Sequence, residues 1–291
     1  MGPVEAPRDE LAALLDERAY VRLPCRVVRA AGSDAAAWLH DLVTADIASL
    51  EPGRSRRSLL LTPTGKIRAD FSVVPHVEGF RLLQDPAQPD RVEALLDPYV
   101  LSSDATLRDE SGDVAAFTVP TFAGDDRRVF APAADGPGVG ILVPYGETPA
   151  LEAGLEAAGV VEAGPDALEA WRVLHGIPRM GADFDTDSLP AEAGLESTID
   201  RTKGCFLGQE SVARVANLGH PPRILRHLRA DGDVTPGDPV SADGAEVGNI
   251  TSAARDLDGG VVAFARVRWA ARDAELFGPG AIRLLSIRSS D

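Results

Sequence analysis

From Arg223 to the end of the chain, turn signals cut the sequence into short apolar runs: Pro236-Gly-Asp, Asp243-Gly, Asp258-Gly-Gly and Gly278-Pro-Gly. Apolar runs of that kind between Gly, Pro and Asp are strands joined by tight turns. The segment is therefore predicted to be a small antiparallel barrel or sandwich. The stretch Gly219-His-Pro-Pro222 marks a boundary in front of it.

Ahead of that boundary, helices and strands are mixed. Leu11, Leu14 and Leu15 carry helical spacing over 8–19, and a strand-like run follows at 20–29. Ser33 and Asp34 are candidate caps for a helix bearing Ala37, Trp38, Leu42 and Val43. Strands at 58–62 and 67–75 flank the tight turn Pro63-Thr-Gly-Lys66. A strand at 80–84 and a helix at 90–99 complete a β-β-β-α run, with another strand at 105–109. Further strands are predicted at 114–120, 127–132 and 140–144, and helices at 148–158 and 166–175. Residues 176–208 show little periodicity, and a loop of that length inside a compact chain is either functional or disordered. A helix over 209–217 then carries Val212 and Val215 on one face.

Composition narrows the function classes. At 291 residues the chain has room for two or three domains and needs no staple to fold. Twenty-nine basic against 45 acidic residues leave a net charge of −16. Such a field repels phosphate backbones, so direct nucleic-acid binding is not expected, although a local basic pocket is compatible with it. Cys25 and Cys205 are the only cysteines and lie too far apart in sequence for metal-type spacing, and the five histidines show none either. No metal site is expected. The first residues lack the features of a signal peptide, and no apolar run reaches the roughly 20 residues of a membrane span. A cytoplasmic protein without a membrane partner is expected.

The basic residues are biased. Lys66 and Lys203 are the only lysines among 29 basic residues, and Asn217 and Asn249 the only asparagines, a pattern of GC-rich coding. Where a compact ammonium is required, arginine does not replace lysine. Both lysines lie beside a glycine.

Two glycine motifs lead nowhere. Gly136-Pro-Gly-Val-Gly140 lacks the spacing of a dinucleotide loop, and Leu59-Leu-Leu-Thr-Pro-Thr-Gly-Lys66 lacks the first glycine of a phosphate-binding loop. Arg201-Thr-Lys-Gly-Cys-Phe-Leu-Gly-Gln-Glu210 is different, because it sets a thiol between a cation and two glycines just ahead of a helix. A cation and a helix N-terminus favour the thiolate, and Gly204 and Gly208 permit close backbone approach. Gln209 and Glu210 fall in the first helical turn. A buried, inert Cys205 acting as a small hydrophobe fits the same residues.

The block Lys203-Gly-Cys-Phe-Leu-Gly-Gln-Glu210 resembles the signature of YgfZ-type folate-binding proteins, a branch of the glycine-cleavage T-protein (aminomethyltransferase) superfamily. Trp38-Leu-His-Asp-Leu-Val-Thr-Ala-Asp-Ile47, Thr62-Pro-Thr-Gly-Lys-Ile67, His175-Gly-Ile-Pro-Arg-Met-Gly181 and Leu189-Pro-Ala-Glu-Ala-Gly-Leu195 resemble family blocks in the same order. The resemblance implies an α+β, T-protein-like three-domain architecture with a ferredoxin-like insert and a C-terminal antiparallel β-barrel. It places a discontinuous folate-binding domain over 1–55 and 112–219, the insert over 56–111 and the barrel over 220–291. It further implies a tetrahydrofolate-binding accessory factor in the assembly or maintenance of iron–sulfur proteins, tRNA-modifying enzymes included, with those clients as partners. The alternative is an aminomethyltransferase moving a one-carbon unit to tetrahydrofolate.

On the same resemblance Cys205 and Lys203, with Gly204, Gly208, Gln209 and Glu210, form the functional loop, and Lys66, Asp70, Arg172 and Glu192 are candidate folate contacts. Lys66 and Lys203 both stand in blocks that the resemblance marks, which implies that they face one pocket. One departure is visible. Leu174 stands where aminomethyltransferases carry a pterin-anchoring glutamate, and a leucine accepts no hydrogen bond. Folate also has an anionic tail. Arg54, Arg56, Arg57, Lys66 and Arg68 around the first hairpin, and Arg223, Arg226 and Arg229 after the boundary, are candidate groups to hold it.

Overall fold

The computed structural model describes residues 2–101, 103–120, 129–130 and 138–287. In the first half of the chain the elements are α1 (Arg8–Leu15), β1 (Ala19–Leu23), β2 (Arg26–Ala31), α2 (Ala35–Leu42), β3 (Arg56–Leu61), β4 (Ile67–His76), β5 (Gly79–Gln84), α3 (Val92–Leu96), β6 (Thr106–Asp109) and β7 (Val114–Val119). After them come β8 (Val129–Phe130), β9 (Val139–Pro144), α4 (Thr148–Ala157), β10 (Val161–Glu162), α5 (Pro165–Leu174) and α6 (Gln209–Leu218). The C-terminal strands are β11 (Arg223–Ala230), β12 (Pro239–Ala242), β13 (Ala245–Arg255), β14 (Val261–Arg268), β15 (Leu276–Phe277) and β16 (Arg283–Ser286). Of the strand expected over 127–132 only β8 is described; its remainder, and Gly136-Pro137, lie outside the described residues.

The strand-like run at 20–29 is two strands. Pro24 has no N–H to give a ladder, and the chain changes sheets there. β1 joins a five-stranded sheet of order β10-β1-β7-β9-β8, while β2 joins another of order β3-β4-β5-β2-β6. β2 lies between β5 and β6 and pairs antiparallel with both. The second sheet therefore reaches back to residue 26, across the boundary expected at 56. With α2 and α3 on one face it has a ferredoxin-like arrangement with β3 as an added edge strand. That face buries Trp38, Leu39, Phe71, Leu82 and Leu96. Its other face contributes Val27, Val74 and Leu83, which pack on Val114, Ala116 and Leu142 of the first sheet. The helix cap also differs from expectation. Asp34 makes no side-chain cap bond to α2; its carboxylate accepts the Asp104 N–H at 2.8 Å, tying α2 to the start of β6.

The C-terminal strands close into a barrel of order β11-β14-β13-β12-β15-β16, with β16 pairing back onto β11. Alternation along β14 puts Ala263, Ala265 and Val267 inside and Arg266 and Arg268 outside. The barrel docks on α5, where Ala254 and Val262 pack with Ala167, Ala170 and Trp171.

One buried cation fastens that joint. Arg172 on α5 binds Glu169 through Nε at 2.7 Å and Nη2 at 2.5 Å. Its Nη1 donates to the Ile177 carbonyl at 3.0 Å and the Asp183 carboxylate at 2.7 Å, and Nη2 donates also to Ser252 Oγ of β13 at 2.8 Å. Asp183 in turn accepts the hydroxyls of Thr251 and Ser252 at 2.8 and 2.6 Å. Removing one partner leaves an uncompensated buried charge. Arg172→Met is expected to lower the unfolding free energy by about 3–5 kcal/mol in urea titration, and Arg172→Met/Asp183→Asn to cost less than the two single changes together.

Candidate functional site

The turn between β3 and β4 meets the start of α6, and two glycines make the contact possible. Gly208 caps α6 at φ +85°, and a Cβ on it would come within 2.4 Å of the Thr62 carbonyl. Gly65, at φ +80°, would put a Cβ 2.8 Å from Ser211 Cβ. Ser211 Oγ donates to the Pro63 carbonyl at 3.1 Å across the same contact. Gly204 has open space where its Cβ would be, so Gly208 alone carries the close approach expected of both.

The loop in front of α6 is held from two sides. The Asp200 carboxylate accepts the backbone N–H of Thr202 at 2.7 Å and of Lys203 at 3.1 Å, and these bonds with the Thr202 hydroxyl hold its carboxyl below the usual range. Lys203 reaches away from the loop. Its ammonium donates to the carbonyls of His40, of Val43 at 2.6 Å and of Ala45 at 3.1 Å. These lie at the C-terminal end of α2, where helix carbonyls lack intrahelical partners and a cation is favoured. Burial pulls the Lys203 ammonium down to about 8, opposed by Asp41, Asp46 and Asp200, so it still carries its charge at neutral pH. Lys203 also lies over the Phe206 ring at 5.7 Å. Gln209 accepts the Phe206 N–H through Oε1 at 3.2 Å, and Glu210 occupies the first turn of α6.

Cys205 sits on this anchored loop as a free, exposed thiol that makes no hydrogen bond among the described residues. It is therefore not buried as a small hydrophobe. The neighbouring ammonium, however, is spent on α2 and is a fastening rather than a partner of the sulfur.

The two lysines have different partners. Lys66 pairs with Asp187 at 2.8 Å on the surface, far in character from the carbonyl cage of Lys203. The hairpin and the cysteine loop do touch, through the glycines. Asp70, on β4, is buried and held by Arg57 in a two-pronged pair of 2.8 and 2.6 Å; Arg57 also donates to the Pro178 carbonyl at 2.8 Å. Arg172 has all five N–H groups committed, so it offers none to a ligand. Glu192 is buried and accepts the Leu189 N–H at 2.9 Å through one oxygen, while the other makes no hydrogen bond among the described residues. Leu174 packs with the apolar cluster of α1 and α5. Asp183, Asp187 and the role of Arg57 were invisible in the sequence, where nothing sets them apart from other surface charges. Among the described residues no group of three His, Cys, Asp or Glu is placed to hold a metal, and no helix is long and apolar enough to cross a membrane.

No family model matches the chain. It is 26% identical over 261 residues to an aminomethyltransferase of Streptomyces coelicolor, covering 77% of this chain and 70% of that protein. It is 26% identical over 221 residues to the tRNA-modifying protein YgfZ of Photobacterium profundum, covering 67% and 64%. The chain is thus similar in sequence both to aminomethyltransferases and to a YgfZ protein. A putative chloroplastic transferase of Arabidopsis thaliana is 24% identical over 254 residues, 77% of this chain but only 59% of that protein. The fold matches that of the glycine cleavage system aminomethyltransferase T of Bartonella henselae, with a TM-score of 0.82 at 22% identity, over 96% of this chain and 88% of that one.

The lysine cage makes a specific prediction. Lys203→Met is expected to cost about 1–3 kcal/mol in urea unfolding, because helix-end carbonyls lose a charged donor. It should also speed iodoacetamide alkylation of Cys205, followed by mass spectrometry. Lys203→Arg should not restore either property, since a planar guanidinium cannot aim three N–H groups at one cluster of carbonyls.

Proposed function

We propose that this chain is a tetrahydrofolate-binding accessory factor for the assembly or maintenance of iron–sulfur proteins, tRNA-modifying enzymes included, acting in the cytoplasm. The observation that carries the proposal is the mounting of Cys205: an exposed, uncommitted thiol on a loop fixed by Lys203, Asp200 and Gly208. A thiol presented this way is available to a client protein or its cluster, and chemistry of that kind needs a thiolate that a partner can reach. The relationship to YgfZ supports the same reading.

The fit to folate rests on one residue. Pterin N–H groups need acceptors, and the buried Glu192 carboxylate keeps one oxygen without a hydrogen bond among the described residues. It lies in the 176–208 loop, beside which Leu61, Ile67, Met180 and Phe184 pack. Glu192 is assigned the acceptor role that Leu174 cannot fill. Asp70, paired with Arg57, and Arg172, whose N–H groups are all committed, are not assigned to the ligand.

Tetrahydrofolate is expected to raise the melting temperature of the protein in a dose-dependent way, and Glu192→Gln to weaken binding roughly tenfold by loss of a charge-assisted hydrogen bond. Saturating folate with no shift removes the ligand. Cys205→Ala should leave the melting temperature unchanged yet fail to restore iron–sulfur enzyme activity in a deletion strain; full rescue removes the thiol from the function.

The relationship to aminomethyltransferases favours a second reading, one-carbon transfer to tetrahydrofolate with Asp70 assisting. The pairing of Asp70 with Arg57 and the leucine at 174 weigh against it. Formation of methylene-tetrahydrofolate from glycine in a reconstituted cleavage system that depends on this chain is the deciding assay.

A further inference from the structure

The basic groups named as possible anion holders are nearly all consumed by the protein. Arg56 pairs with Asp46, Arg57 with Asp70, Lys66 with Asp187 and Arg68 with Asp90. Arg229 pairs with Asp256, and Arg226 donates to the Arg272 carbonyl and the Ser286 hydroxyl. The side chains of Arg54 and Arg223 make no ion pair or hydrogen bond among the described residues, and of these two Arg223 lines a cleft of about 450 Å³ on the outer wall of the barrel. That volume is in the range of small-molecule sites.

The register of the barrel builds this cleft. Arg223 of β11 lies directly opposite Arg268 of β14, and Arg266, two residues back on the same face, lies opposite Asn249 of β13. Like charges directly opposite on neighbouring strands are destabilising. No acidic side chain forms an ion pair with Arg223 or Arg268 among the described residues. Arg268 donates only to the Glu246 backbone carbonyl, and Arg266 reaches the Asp185 carboxylate at 3.1 Å from the edge of the cleft. Glu246 also lines the cleft, and its side chain makes no hydrogen bond or ion pair among the described residues.

We propose that the outer wall of the barrel carries an oxyanion site, in which Arg223 and Arg268, supported by Arg266, bind the carboxylate or phosphate group of a small molecule, separately from any folate site. The guanidinium fork matches either group through paired N–H···O bonds. Glu246 sits against the anion and limits its affinity, so its neutralisation has a sign opposite to that of the arginines.

Calorimetric titration of the full chain with inorganic phosphate and with succinate, in fixed chloride, tests the site and separates the two sources of the oxyanion. One of the probes is expected to bind saturably, about tenfold or more weaker in Arg223→Ala/Arg268→Ala and several-fold tighter in Glu246→Gln. Both variants change surface residues, and melting curves check that they remain folded. The tetrahydrofolate-induced melting shift is expected to be the same in the double variant as in the parent, whether that shift is large or zero. Failure of both probes to bind, equal binding by the double variant, or weaker binding by Glu246→Gln overturns the proposal; loss of a folate shift in the double variant overturns its separateness.

Discussion

A guanidinium has five N–H donors, and Arg172 places all five: two on Glu169 of its own helix, two on the loop after that helix, and one on the barrel. Asp183, fully enclosed, completes the arrangement by accepting from Thr251 and Ser252 of β13. Neither ion is tolerable in the interior alone, so each fixes the other's position. The loop that carries Glu192 begins at this knot and packs over Leu59, Leu61 and Ile67 of β3 and β4. The barrel cannot shift on α5 without stranding a charge. The seating of the barrel and the start of the 176–208 loop follow from that single requirement.

The fixed frame explains how the thiol is presented. The cysteine loop is secured by backbone and cationic bonds that leave the sulfur itself untouched. An ammonium with three tetrahedral donors suits three carbonyls converging at a helix end, and arginine does not. In a chain whose coding has turned nearly every other cation into arginine, that geometry accounts for the lysine at 203. Lys66, exposed and paired with one carboxylate, has no such explanation in the structure.

The barrel, the mixed order of helices and strands before it and the cysteine motif were all legible, because turn chemistry, periodicity and local spacing are properties of short segments. The hairpin around Gly65 stands as expected, and the helix carrying Leu11 and Leu14 forms but ends at Leu15, short of the expected 19. What was not legible depends on groups far apart in sequence. That Pro24 divides one apolar run between two sheets, that Arg172 is structural, and that Lys203 faces α2 instead of Cys205 are all long-range facts. Glycine shows the limit well: Gly204 and Gly208 look alike in the motif, and only the approach of Thr62 distinguishes them.

The split at Pro24 also bears on synthesis. β2 finds its partners at 79–84 and 106–109, whereas β1, two residues upstream, waits for 114–119 and then for 161–162. As the chain leaves the ribosome, the second sheet can close while its N-terminal neighbour still has an unpaired edge. The two halves of one short segment thus belong to different moments of folding. The exposed edge of β1 is the part most in need of protection during that interval.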